Sequence, residues 1–262
     1  VYNDMQFKTV TRLNARNEWT LLGIGGYDIN RLNTDLKNPD DHQKYLLDWL
    51  PESRQWSYTL GTTFKHYGNN WYHFFVLSRS GLYNKVEKYT GNDRHNPKTI
   101  DYRSGESENK FRFEHHRYAA NGFKLQVGAG IEYAHYDNTT ARRLFAAGEA
   151  IDQYYSRALN MWKWAVFGQV SRSFFSERLA LSLGLRADGC NYTGKTAALY
   201  RQISPRFSFS YAFDERWSLN GNIGRYYQLP AYTTLGFADA GGVLVNKRNK
   251  TGYIGADHYV LG

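Results

Sequence analysis

Glu114, His115 and His116 are the residues of this sequence that most resemble a metal site, because carboxylate and imidazole groups are common metal ligands. They are consecutive, however, and the pattern around them predicts a strand, in which adjacent side chains point to opposite faces of a sheet. The two histidines are therefore not expected to share one ion.

Three further carboxylates, Asp35, Asp40 and Asp41, lie in a polar segment near the start of the chain. Oxygen ligands of this type suit calcium, but their spacing fits no known calcium-binding loop. We expect ordinary loop acidity here, and we predict neither a metal site nor a cofactor for this chain.

Enzymatic motifs give no positive signal. The sequence contains no nucleophile elbow, P-loop or His-Glu-x-x-His motif, and Gly23-Ile24-Gly25 lies inside a strand pattern and not at a strand-to-helix turn. We therefore expect a protein without catalysis, although a pair of carboxylates acting on a glycan would leave no motif.

The formal charge of +9 favours an acidic partner. The adjacent pairs Arg142-Arg143 and Lys247-Arg248 fall in predicted loops, where they could contact lipopolysaccharide phosphate or an anionic ligand. Nucleic acid is the alternative, since basic and aromatic residues interleave as in stacking grooves. It is not expected, because the aromatic residues collect at strand ends instead of on one face.

The elements that position these residues are strands. Between Trp162 and Leu229 large apolar residues alternate with small or polar ones, as in the leucines at every second position from Leu179 to Leu185. This period of two predicts strands with one apolar face and one polar face. Such strands suit a barrel with an apolar outside and a wet interior.

The whole chain predicts ten strands and the start of an eleventh, joined alternately by short turns and long loops. Residues 33–55, 88–108, 137–160 and 230–256 are predicted as long loops, with a helical turn at Tyr45–Leu50 and a helix at Ala141–Ala150. Asn121-Gly122 predicts a two-residue type I′ turn. This alternation of connections is typical of an antiparallel up-and-down transmembrane barrel.

Aromatic residues support a membrane location, because they flank both ends of the predicted strands, as in the two interfacial girdles of a membrane barrel. Near the short turns they are Trp19, Tyr67, Trp71, Tyr118, Phe123, Phe174, Phe175, Phe213 and Trp217. At the opposite strand ends they are Tyr27, Trp56, Tyr58, Tyr83, Tyr133, Trp162, Trp164, Tyr226 and Tyr227.

The run from Ile203 to Phe213, followed by Trp217, Gly224, Tyr226-Tyr227 and Pro230, resembles the later barrel strands of TonB-dependent outer-membrane receptors. Val166–Val170, Leu183–Asp188 and Asp257–Gly262 are similar to the same family. The resemblance is best over residues 161–262, and the first 160 residues share only the rhythm of strands, turns and loops.

This resemblance implies an outer-membrane receptor of a Gram-negative bacterium, with a barrel of 22 strands of which residues 1–262 form part and no plug domain in the chain. It implies import of a scarce nutrient, namely a ferric siderophore, haem, cobalamin or a glycan, driven by the TonB complex. The partners implied are that complex, the nutrient, and outer-membrane lipid and lipopolysaccharide. A passive porin and a soluble secreted β-rich carbohydrate-binding module remain the alternatives.

Candidate ligand contacts follow from which side chains face the interior of the predicted barrel or its mouth. Glu132, Arg186 and Tyr226 have interior parity in their strands, whereas Tyr232 and Phe237 lie in the last long loop. Hydrogen bonding within the barrel is the simpler role for each of them.

Overall fold

The computed structural model describes residues 1–146, 149–239 and 241–262. Its strands form one antiparallel sheet in which each strand pairs with its neighbours in sequence, in linear order from β1 to β11. The strands are β1 (Tyr2–Asn14), β2 (Asn17–Asn30), β3 (Glu52–Tyr67), β4 (Trp71–Tyr89), β5 (Lys98–Tyr118), β6 (Lys124–Ala146), β7 (Glu149–Phe174), β8 (Leu179–Cys190), β9 (Ile203–Ala212), β10 (Ser218–Gln228) and β11 (Ile254–Leu261). The predicted ten strands and start of an eleventh are confirmed.

The helices are short and lie in the long connections. They are α1 (Asp41–Trp49), α2 (Gly194–Ala197), α3 (Tyr232–Leu235) and α4 (Val245–Arg248), with 3₁₀ turns at Thr90–Asn92 and Leu199–Arg201. In the part of the chain described, none of these helices has the length and apolarity to span a bilayer. Asp40 caps α1 by accepting a hydrogen bond from the Gln43 amide at 2.7 Å, so the helix is longer than the predicted turn at Tyr45–Leu50.

Two of the predicted loops are largely strand. Residues 88–108 are divided between the end of β4 and the first half of β5, and residues 137–160 extend β6 and β7 into a long hairpin. The helix predicted at Ala141–Ala150 is wrong over its described residues, and Ala147 and Gly148 lie outside them. The polar sequences misled the prediction because the ladder to neighbouring strands satisfies the backbone of these extensions whatever side chains they carry.

The turn between β5 and β6 also differs from the prediction. Gly122 has φ +83°, but among the described residues Asn121 is not one of those with positive φ, whereas a type I′ turn requires two. The Gly122 amide donates to the Ala119 carbonyl at 3.0 Å, so the turn is one residue longer and ends on a left-handed glycine.

The alternation of faces is confirmed. Leu183 and Leu185 of β8 are 58% and 54% exposed on the outer face. Gly184, between them, faces the interior and pairs with Gln169 and Arg206 on the neighbouring strands. The outer face is therefore apolar where a bilayer would contact it.

Aromatic rings on the outer face pack against each other towards the long-loop side of the sheet. The Trp56 ring lies 5.0 Å from that of Tyr83 and 5.1 Å from that of Tyr58, and Tyr133 lies 4.9 Å from Trp162. Three of the residues predicted for the girdles instead share the inner-face parity of their strands: Tyr67, Tyr118 and Tyr226.

The most buried apolar cluster is where the loop of residues 229–253, between β10 and β11, packs against the inner face of the sheet. Met161 of β7 and Leu235 of α3 are 1% and 0% exposed. They form a cluster with Tyr136, Leu159, Cys190 and Tyr192. This packing fixes the loop against β6, β7 and β8 and forms one wall of the candidate site.

Candidate functional site: a charged cavity on the inner face

A cavity of about 690 Å³ lies between the inner face of the sheet from β4 to β8 and the 229–253 loop. Its volume is in the usual range for small-molecule sites, roughly 300–1,000 Å³. Charged side chains from several strands converge on it, and Tyr232 and Tyr253 face them from the loop. The cavity therefore combines fixed charges with aromatic hydroxyl groups.

Strand β5 supplies the densest row of charge. Every second residue from Glu106 to His116 is ionisable and shares the inner face, because the strand alternates without a bulge over this stretch. These residues are Glu106, Glu108, Lys110, Arg112, Glu114 and His116. The first four line the cavity.

The central contacts form a network across three strands. Lys163 of β7 contacts Glu132 of β6 and lies 3.1 Å from Glu108. Lys110 is 2.5 Å from Glu108 and 3.3 Å from Glu132. Each carboxylate is therefore shared by two ammonium groups, and such half-buried pairs hold their geometry better than single exposed ion pairs.

Tyr232, in α3, connects this network to the loop. Its hydroxyl donates to the Glu108 carboxylate and accepts from Lys163 Nζ at 2.6 Å. Burial, followed by the hydrogen bond to Glu108, raises the pKa of Tyr232, so that its hydroxyl keeps its proton. The loop is tied to the wall of the sheet at the centre of the cavity.

On the β8 side, Arg186 and Asp188 lie two residues apart on the inner face. The Arg186 guanidinium donates to Asp188 from Nη2 at 2.7 Å and from Nε at 2.9 Å. It also lies 5.7 Å from the centre of the Phe167 ring. Arg186 is thus held by its neighbours while its side chain remains about a third exposed, at 36%.

Further contacts hold the loop down. The Tyr155 hydroxyl donates to the Gly236 carbonyl at 2.8 Å, and the Tyr192 hydroxyl donates to the Leu235 carbonyl at 2.7 Å. Arg157 Nη2 donates to the Asp239 carbonyl at 3.2 Å. The first two side chains satisfy carbonyls at the end of the short α3, and Arg157 adds a bond further along the loop.

The structure brings together three of the five predicted contact residues. Glu132, Arg186 and Tyr232 line the cavity. Tyr226 has the predicted inner-face parity, but its ring packs with Arg206 at 4.5 Å and with His258 at 4.8 Å, away from the cavity. Phe237 is 52% exposed in the loop and does not line the cavity.

Sequence reasoning missed Glu106, Glu108, Lys110, Lys163 and Asp188. The first two were assigned to a loop because residues 88–108 are polar. The available signal was the alternation of charged and other residues from Glu106 to His116. A period of two in charge indicates a strand just as a period of two in hydrophobicity does.

The other chemically suggestive residues have structural partners. His116 faces inward, 2.6 Å from Glu114, whereas the His115 ring packs on the other face with His73 at 5.0 Å, so the expected opposite orientation is confirmed. Within the described ranges, no group of three or more histidine, cysteine or acidic residues is arranged to hold a metal ion.

Three of the charged residues noted in the loops form local ion pairs. Asp41 pairs with Lys44 at 3.1 Å in α1. Arg143 pairs with Asp152 at 2.7 Å across the β6–β7 hairpin, and Arg248 pairs with Asp239 at 3.1 Å.

The sheet, its alternating faces and its charged interior are those of an outer-membrane receptor barrel. The family model described as TonB dependent receptor-like, beta-barrel matches residues 2–256. This chain belongs to that family and is located in the bacterial outer membrane. A search of curated proteins gave no match.

Solved structures of similar fold come from the same class. The ferric enterobactin receptor PfeA of Pseudomonas aeruginosa has a TM-score of 0.62 at 16% identity, covering 90% of this chain and 34% of its own. FpvA of P. aeruginosa, solved with pyoverdines, has a TM-score of 0.63 at 11% identity over 100% of this chain and 39% of its own. The siderophore receptor PirA of Acinetobacter baumannii has a TM-score of 0.59 at 12% identity, covering 87% of this chain and 34% of its own.

The chain thus spans about a third of the length of these receptors. The matched family is one of receptors. Membership of this barrel family also decides against the soluble secreted module considered from the sequence.

Proposed function

We propose that this chain forms part of the wall of a 22-stranded, TonB-coupled importer whose substrate is a ferric siderophore. The family match supports receptor function, and PfeA, FpvA and PirA, which share the fold, are receptors for siderophores or were solved with them. The observation that carries the proposal is the cavity, which places polar and aromatic groups on the inner face below a loop fixed in position.

Within this proposal, Arg186, Glu132 and Tyr232 are the contacts for a ligand passing through the barrel. Arg186 keeps donors for a ligand, because Asp188 occupies only part of its guanidinium. The proposal keeps Phe237, on the loop surface, and Tyr226, on the inner face of β10, as contacts outside the cavity.

The test is uptake of radiolabelled iron by iron-starved cells whose only siderophore receptor is the full-length protein. Ferric enterobactin, a ferric pyoverdine and a ferric hydroxamate are supplied separately, in cells with and without TonB. The proposal requires uptake of at least one chelate, with loss of that uptake when TonB is absent. Uptake that persists without TonB would instead identify a passive porin.

The residue assignment is tested with Arg186→Ala, compared with Arg201→Ala. Arg201 lies in an exposed 3₁₀ turn next to Tyr200 and away from the cavity. We expect uptake to fall about tenfold in the first variant and to be unchanged in the second, since a lost charged hydrogen bond costs about 1.5–3 kcal/mol. Equal uptake by the two variants would remove Arg186 from the ligand path.

A further inference from the structure

A row of three histidines crosses the outer face of the sheet near its short-turn side. His66 of β3, His73 of β4 and His115 of β5 are direct cross-strand partners. The strand pairs have no bulge at this level, so the three imidazoles share one face. We call these three residues the histidine row.

The row lies at the boundary of the apolar band. The next outer-face pair towards the short turns is Trp71 with Arg117, and such residues are typical of the border between lipid and water. The Trp71 ring lies 4.6 Å from that of His73 and 6.0 Å from that of His115. The next positions towards the centre of the band are all aromatic, namely Trp19, Phe64, Phe75 and Phe113. An ion in water can therefore reach the row from the short-turn side without crossing the apolar band.

His73 and His115 have the spacing of a chelating pair. Their ring centres are 5.0 Å apart. Imidazole nitrogen binds zinc at about 2.0–2.1 Å, so two rings that share one ion at a tetrahedral angle have centres about 5 Å apart. The rings are inclined at 56° and are not stacked, which allows lone pairs in the two ring planes to converge on one point.

His115 also has an unused ligand atom. Its Nδ1 is buried and, among the described residues, has no hydrogen-bond partner. A buried polar atom without a partner costs free energy, and a bound ion is one of the few groups that can satisfy it. The histidines whose ring nitrogens do have side-chain partners are His66, His95, His116 and His135.

The third member of the row is engaged elsewhere. His66 Nδ1 lies 2.8 Å from Oδ1 of Asn17, on the β2 side of the row. Over the described ranges, no three side chains of the histidine, cysteine or acidic type are arranged around one point. The site is therefore a pair, in which water completes the coordination of an ion.

We propose that His73 and His115 bind one divalent transition-metal ion, zinc or copper, at the short-turn boundary of the outer face. Imidazole suits both ions, and copper(II) binds nitrogen sites more tightly than zinc does. The ion joins β4 to β5 close to their short-turn ends. The two ligands are distant in sequence and become neighbours only through strand register. This inference rests on the geometry of the outer face and not on the proposed substrate.

The test uses the full-length receptor without an affinity tag, stripped of metal with EDTA and incorporated into phosphatidylcholine vesicles. Copper(II) is added up to one equivalent, and electron paramagnetic resonance counts the nitrogen atoms bound to it. Zinc is then added as a competitor. The variants are His73→Ala and His115→Ala. The controls are His66→Ala, in the same row, and His95→Ala, whose side chain is 94% exposed. A faster-migrating band before heating shows that each variant is folded.

We expect a copper(II) signal with two imidazole nitrogens in the unaltered receptor and in both controls, and we expect zinc to displace it. Each pair variant should lose this signal, and its copper affinity should fall about a hundredfold, because the second ligand of a chelate binds as an intramolecular event. Retention of the signal in either pair variant, or its loss in a control, would overturn the assignment. Iron uptake is measured separately, so a failure of the proposed function leaves this result unaffected.

Discussion

The hydroxyl of Tyr232 donates a hydrogen bond to the carboxylate of Glu108, although 124 positions of sequence separate the two residues. Lys163 lies against both groups and completes a contact between β5, β7 and the 229–253 loop. The position of the loop therefore depends on the charged interior of the sheet as well as on apolar packing.

Removing this hydroxyl should loosen the loop without unfolding the sheet. Tyr232→Phe is expected to raise the hydrogen-exchange rate of residues 229–239 roughly 5- to 30-fold, corresponding to about 1–2 kcal/mol for the lost bond. Tyr154→Phe is the control, because Tyr154 is 72% exposed on the β6–β7 hairpin. Unchanged exchange in the Tyr232 variant would show that apolar packing alone holds the loop.

The apolar part of the same attachment can be tested at Leu235, which is fully buried. Leu235→Ala leaves a cavity beside Met161 and Tyr192 and should destabilise the docked loop by about 2–5 kcal/mol. Limited proteolysis in the loop is expected to accelerate strongly. Leu36→Ala, at a 37% exposed position in the β2–β3 connection, should leave the digestion pattern as it is. The same acceleration in both variants would contradict the docked arrangement.

The assignment of faces predicts opposite outcomes for neighbouring substitutions on β8. Leu183→Arg places a charge against lipid and should destabilise the folded receptor by about 2–4 kcal/mol in vesicles. Ser182→Arg places the same group on the inner face, opposite Ser171 and Ser208, and should cost much less. Urea titration of folding in lipid vesicles measures both. A larger loss for Ser182→Arg would invert the proposed membrane face.

Glu87 and Asp101, which form ion pairs with Lys85, Lys98 and Arg103, should make the long-loop ends of β4 and β5 sensitive to acid. Burial alone would raise the pKa of Glu87, but hydrogen bonds from Lys85 and Lys98 outweigh it and lower that pKa. Burial likewise opposes a lowered pKa at Asp101, where Lys98 and Arg103 dominate.

A carboxylate with a lowered folded-state pKa stabilises the fold above its unfolded-state pKa, and this contribution is lost as the pH falls through the folded-state value. We therefore expect hydrogen exchange in residues 84–89 and 98–104 to increase below about pH 4.5, the ordinary value for glutamate. Glu87→Gln/Asp101→Asn should abolish this dependence. An identical acid response in that variant would assign the effect to other groups.

The membrane-spanning half of this structure could be predicted from the sequence because lipid imposes a strict rule. Every second residue must be apolar, so alternation at Leu179–Leu185 determines both the strand and its face. The polar extensions are under no such rule. Residues 98–108 and 137–146 are strands because their neighbours offer ladder partners, and pairing between distant segments leaves no local signature.

The candidate site likewise combines residues that the sequence predicts with residues that depend on contacts between distant segments. Glu132 and Arg186 were predictable from the parity of their positions in the strands. Lys163, by contrast, lies beside Glu132 and Glu108 only because of the register between the strands. The position of Tyr232 depends on how a 25-residue connection folds back into the barrel, which is decided by contacts such as Tyr192 to Leu235. Chain periodicity contains no information about such a contact.

The unequal lengths of neighbouring strands have one more consequence. β7 has 26 residues and its partner β8 has 12, so the β6–β7 hairpin continues for about 45 Å of strand after β8 has ended. The long-loop edge of this sheet is therefore uneven, high at β6 and β7 and low at β8. A large molecule that approaches this sheet from its long-loop side would therefore meet the strands near Asp152 and Tyr154 well before it reaches the end of β8.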